Sequence, residues 1–512
     1  NEDFTVHTIR IRQGVVFADD EAFKGKQRLL TVHDYIYSLK RFADPKTTSP
    51  MWPSLDEQGI VGLAELRKKA LDSKQPFDYD APVEGLRALD AHTLQFKLKA
   101  PRPRFVEILA QSDLFGAVAR EVVEHYGDNI PAHPVGTGPY RLAQWRRSSF
   151  IALERNPSYR EVYYETTATD PEALKIAAHM KGKRLPLIDR VEISPIEESQ
   201  PRWLSFLNKE HDFIERIPPE FVNVALPGGQ VAPNLAKQGI QLYRLPASDC
   251  AFTFFNMEDP QLGGFEPHRV ALRRAISLGM DINAEIRRVR RGQAIPAQSL
   301  VLPHTTGYDT AFKSENSEFN PAKAKALLDL YGYLDRDGDG FREHPDGKPL
   351  TIEVATQPDA LSRQFDELWN KNLRAIGLNP KFTSGKWPEQ LKQARAGKLQ
   401  LWMLGSTSAF PDGIGMLQRL YGPQSGQQNY SRFKYAPFDR LYEKAQVLPD
   451  GPERQALFNE AKRIQVAFMP MKVHVHRIVN DMAHPWVIGY RRQLFWVDLF
   501  QNLDIDLSRK PA

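Results

Sequence analysis

The chain has 512 residues, of which 68 are Lys or Arg and 63 Asp or Glu, for a formal charge of +5. That balance excludes a nucleic-acid binder built on bulk charge, despite an isoelectric point near 8.9. With 41% hydrophobic residues and a mean hydropathy of −0.47, the chain has ample core material. It has no run of the ~18 apolar residues that a membrane helix needs. Cys250 is the one cysteine, which excludes an intrachain disulfide and a thiolate metal cluster. Its apolar, strand-like surroundings read as burial. The opening residues, from Asn1 to Thr5, carry neither a signal-peptide nor a lipid-anchor pattern, so any export signal has been removed or was never included.

Residues 5–17 alternate like a strand running into a turn at Gly14. Thr31 with Asp34 three residues later predicts a helix start, and Tyr35, Ile36, Leu39 and Phe42 supply its apolar face. Pro134-Val-Gly136-Thr137-Gly138-Pro139-Tyr140 reads as a rigid turn between strands, because Gly relaxes and Pro139 fixes the backbone. A turn and strand follow at Leu185–Ile193, then a helical segment around Leu204–Leu207 that ends in Asn208, a residue able to take a left-handed cap. Phe252–Phe255 is an apolar strand that gives way to a polar loop at Asn256. Pro267 opens a helix with Val270, Leu272, Ala275 and Ile276 on its apolar face. The basic run Arg287-Arg288-Val-Arg290-Arg291 reads as a solvated helix terminus. Asn320-Pro321 caps a further helix that Gly332 stops. Met471–Val479 predicts a strand that puts His474 and His476 on one face, as hydrogen-bonded structural histidines rather than metal ligands, and Phe495-Trp496 form an aromatic tail.

Taken in order, several strings together resemble the family 5 extracellular solute-binding proteins, the dipeptide, oligopeptide and nickel receptors of ABC importers. They are Arg12, Gly14, Val15 and Phe17; Leu30, Thr31, Asp34, Ser38 and Arg41; the 134–140 turn; Glu154-Arg155-Asn156-Pro157-Ser-Tyr159; the 267–276 helix; and Gly292 to Pro296. The resemblance implies an α/β, two-lobed periplasmic-binding-protein fold (type II, large three-domain variant) with a hinge between the lobes. It further implies a subdomain over 1–130, a lobe 1 core over 131–255, lobe 2 over 256–473 and a return to lobe 1 over 474–512. In the family several tens of residues precede the opening block and supply the first strand of the larger lobe. This sequence begins after them, so the expectation is a late start or a strand from another chain.

The implied function is a periplasmic or otherwise extracytoplasmic receptor, not an enzyme. It would bind a peptide, a peptide-like ligand or another small polar solute between the lobes and deliver it to a membrane permease, as a monomer without a cofactor. The alternative is a ligand-sensing or interaction subunit on the same fold. No hydrolase, zincin, nucleotide or dinucleotide motif occurs. Phe255, Asn256, Trp402, Gly405, Ser406, Thr407, Ser408 and Asn429 are the expected ligand-binding residues. Peptide-binding members carry an Asp that pairs with the ligand's ammonium, and the matching position here is Ala409. Either Asp412, Glu258 or Asp259 replaces it, or the ligand is not a free-amine short peptide. Asp335, Asp337, Asp339 and Asp346, with Gly340, have calcium-loop spacing, although the same turn recurs in the family without a metal role.

Overall fold

The computed structural model describes residues 1–495 and 499–511; Trp496 of the aromatic tail lies outside them. The chain divides into two compact units. One comprises Asn1–Glu215, Val231–Tyr243 and Asp481–Ala512, and the other Arg216–Gln230 and Arg244–Asn480. Residues 255 and 256, where the sequence reading changes lobe, lie inside the second unit at the end of a strand. Residue 474 lies within the strand Met471–Ala483, which leaves that unit after Asn480.

The first unit contains an antiparallel three-stranded sheet, with Thr93–Lys97 between Val6–Arg10 and Leu86–Asp90. The helix Val32–Ala43 starts as its sequence predicts, in a capping box of Thr31 and Asp34. Val32, Leu39 and Ala43 join Leu94 and Phe96 in one apolar cluster. Tyr140–Arg146, Phe150–Arg155 and Arg190–Ile193 form a second antiparallel sheet behind the glycine-rich turn. The helix Ser199–Leu207 ends at Asn208 in a right-handed conformation, and the left-handed residue is Lys209 (φ 67°). The asparagine thus does not take the cap conformation its side chain would permit.

The second unit is built on a mixed sheet. The strands run in the order Ala294–Pro296, Met471–Ala483, Asp249–Phe255, Leu401–Thr407, Thr351–Thr356, Asn379–Ser384. Helix Pro267–Gly279 begins at Pro267, and helix Pro321–Leu330 begins with Asn320 Oδ1 accepting from Lys323 N at 3.0 Å. One face of the sheet packs on Leu272, Ile276, Phe365 and Trp369. The other packs on Leu300, Leu302, Phe433 and Phe438.

The basic run departs from its expected solvation. Arg290 pairs with the buried Glu285 at 2.7 Å and lies over the Phe365 ring at 4.9 Å, while Arg287, Arg288 and Arg291 are exposed. Glu285 recruits Arg290 because a buried carboxylate needs a partner. Burial pushes the Glu285 carboxyl up, but Arg290 and His474 outweigh it and hold it at about 2.

Candidate ligand-binding site

The strand Leu401–Thr407 changes character along its length: Leu401 and Trp402 are buried, and Gly405 and Thr407 are exposed. On one side all seven residues pair with Asp249–Phe255, from Leu401 opposite Phe255 to Thr407 opposite Asp249. On the other side the parallel ladder to Thr351–Thr356 reaches only Leu401 and Trp402. From Met403 onward no strand covers that edge among the described residues. A bare edge next to a polar end is a place where an extended ligand can add as a strand.

The structure separates the eight sequence-predicted residues into two groups. Phe255 and Trp402 are fully buried in opposite cores and present nothing to a ligand. Asn256 is structural: its Nδ2 donates to the carbonyls of Gly397 (2.9 Å) and Leu399 (3.1 Å), and its Oδ1 accepts from Glu258 N. Asn429 is likewise enclosed, with Nδ2 donating to Tyr421 O (3.0 Å) and Phe433 O (2.9 Å) and Oδ1 accepting from Ser431 Oγ. These four are corrected to core and loop-tying roles. A strand alternates its faces, and an asparagine with two carbonyls in reach has no hydrogens left for a solute.

Gly405, Ser406, Thr407 and Ser408 stay together at the polar end. Ser406 is buried and its Oγ accepts from Arg419 Nε at 3.0 Å. Ser408 N donates to Ser248 O, and Ser408 Oγ donates to Phe410 O. The three proposed substitutes for an ammonium partner are already engaged. Both oxygens of the buried Asp412 carboxylate accept from Arg454 Nη2, at 3.1 and 2.8 Å. Lys434 and Arg432 hold the Glu258 carboxyl below its usual range. Asp259 caps Gln261 N and Leu262 N and accepts from Gln400.

Sequence reasoning missed two arginines that long-range folding brings here. Arg477 pairs with Asp249 at 3.0 Å, and its Nη2 would lie 3.1 Å from a Cβ built on Gly405. Arg419 holds Ser406 and lies over the rings of Phe252 (5.6 Å) and Tyr430 (6.0 Å). No spacing signal announced either one. Burial pushes the thiol of Cys250, opposite Ser406, up to about 12, against the pull of Arg419 and Arg477. That thiol is inert, in keeping with its expected burial.

The histidines are hydrogen-bonded as expected but do not share a face. A register shift between Val473 and Val475 sends His474 to Glu285 and Thr253, and His476 to the Asp249 carbonyl. The acidic loop also differs from its spacing. Asp335, Asp337, Asp339 and Glu343 bring oxygens within 4.8 Å of one another, whereas Asp346 pairs with Lys348 at 2.7 Å. Asp335 already accepts from Gly338 N and Gly340 N, and Glu343 from Arg336 N.

The chain thus has two compact units, the second of which carries a strand with a bare, polar end. No helix among the described residues is long and apolar enough to cross a membrane. A profile of the bacterial extracellular solute-binding proteins, family 5 (Middle), matches residues 1–428, and the chain belongs to that family. It is a solute-binding protein and not an enzyme. It is 25% identical over 501 residues to the periplasmic oligopeptide-binding protein OppA of Salmonella typhimurium, covering 96% of this chain and 80% of that one. To the dipeptide-binding protein of Escherichia coli it is 23% identical over 515 residues, covering 99% and 84%. The fold matches the periplasmic binding protein DppA from Helicobacter pylori in complex with the peptide STSA. There the TM-score is 0.72 at 20% identity, over 99% of this chain and 87% of that one.

Proposed function

We propose that this chain is the extracytoplasmic receptor of an ABC importer, binding a peptide or peptide-like polar solute as a monomer and delivering it to a membrane permease. The bare edge of Met403–Thr407 carries this reading. Its main-chain groups offer a peptide backbone the ladder that the Thr351–Thr356 strand stops short of, and its hydroxyls suit a polar ligand. The peptide ligands named for related receptors support the same choice.

Native mass spectrometry of protein purified without refolding, repeated after denaturation, tests it. A ladder of peptide masses released from the protein is the expected result. One discrete non-peptide mass would replace peptide with another solute class. An empty protein that also ignores a tripeptide mixture would reject the peptide reading and favour a sensing or interaction subunit.

A further inference from the structure

We infer that Arg419 is an anion-binding residue of the solute site: its guanidinium pairs with a carboxylate or other oxyanion carried by the ligand at the polar end of the 401–407 strand. The inference rests on the receptor reading above and adds the chemical class that the site selects.

A guanidinium does not shed its proton in a protein, so an arginine withdrawn from water needs an acceptor for its charge. Four other arginines around this sheet have a carboxylate, and the fully buried Arg273 gives its donors to the carbonyls of Leu262 and Phe468 instead. Arg454 meets Asp412, Arg477 meets Asp249, Arg290 meets Glu285 and Arg274 meets Glu315. Arg419, half-buried, has only the neutral Ser406 hydroxyl, on Nε. Among the described residues no carboxylate pairs with it, and no protein acceptor meets Nη1 or Nη2.

The side chain is nevertheless held in place. The Ser406 bond fixes Nε, and Cζ lies over the rings of Phe252 and Tyr430. What remains is an oriented fork of N–H donors, the geometry that matches a carboxylate or a phosphate. The neighbouring acids do not neutralise it. Asp249 is committed to Arg477 and Asp412 to Arg454, so the strand end keeps one uncompensated positive charge. An ammonium would be repelled there and an oxyanion attracted.

The test compares wild type with Arg419→Met and Arg419→Lys by isothermal titration. The probes are tripeptides as C-terminal free acids, the same peptides as amides, and amides with a glutamate side chain. Wild type should bind free acids at least about tenfold more tightly than plain amides. Arg419→Met should lose that preference, its free-acid affinity falling to the level of its amide affinity, and Arg419→Lys should recover part of it. Glutamate amides that bind like free acids also support the inference and place the anion on the side chain. Equal affinity for all three peptide types in wild type, or a preference that survives Arg419→Met, overturns it.

If wild type binds no peptide, the receptor reading fails separately, and melting in sulfate against chloride at matched ionic strength decides Arg419. Sulfate raises the melting temperature of most proteins, so the readout is the difference between variants. A larger sulfate shift in wild type than in Arg419→Met supports the anion site, and equal shifts overturn it.

Discussion

His474 and His476 stand two positions apart on one strand, yet each is spoken for by a different neighbour. Burial pushes the His476 imidazolium down to about 4, only partly offset by its bond to the Asp249 carbonyl. Above pH 6.5 the ring is neutral in both folded and unfolded chains. Between 6.5 and about 4 the unfolded chain takes up a proton that the folded chain refuses, so stability falls as pH falls through that window, by up to about 3 kcal/mol. Urea midpoints at pH 7 and pH 5 should therefore differ less for His476→Gln than for wild type; an unchanged difference would contradict the assignment. Asn429→Ala should cost roughly 2–4 kcal/mol in the same assay, because it strands the buried Phe433 carbonyl and Ser431 hydroxyl. A cost under about 0.5 kcal/mol would mean the loop is tied elsewhere. What sequence disclosed at this scale was local: the caps at Thr31 and Asn320 depend on residues three positions apart. The engagement of Asn429 and Asp412 depends on partners that the fold, not the spacing, delivers.

The sequence reached Trp402 and Gly405 to Ser408 only through the family resemblance, as ligand-binding candidates, and did not read 401–407 as a strand. Which of its edges lies bare was not legible, because the covering strands 249–255 and 351–356 lie far away in the chain and one of them stops early. The same limit misplaced the histidines, whose alternation assumes a strand without a register shift. Gly405→Val tests the element. The added Cβ meets only the end of the flexible Arg477 side chain, at 3.1 Å, so unliganded stability should change by less than about 1 kcal/mol. Bulk beside the bare edge should abolish solute binding measured by titration. Equal losses of stability and binding would mark Gly405 as a packing residue instead.

At the scale of the whole chain, the order of motifs was enough for the fold class, because motif order survives divergence that individual residues do not. The four passages between units were harder, since each is an unremarkable stretch of strand or loop. In the first unit Trp486, Val487 and Tyr490 pack with Ile188, Phe213 and Tyr243, and Trp486 Nε1 donates to Asp212 at 2.7 Å. Trp486→Ala should cost roughly 3–5 kcal/mol. Hydrogen exchange should show the loss across 185–214 while the Asp249–Phe255 strand keeps its protection. Loss spread evenly over both units would show that they unfold as one.

The discontinuous first unit also inverts the usual order of completion on the ribosome. Domains are generally finished from the amino end as the chain emerges, at about 5–20 residues per second. Here residues 244–480 are all available to their unit before 481–512 have been made. The amino-terminal unit, begun first, must wait with its apolar faces at Ile188 and Phe213 uncovered until the last segment of the chain arrives to close it.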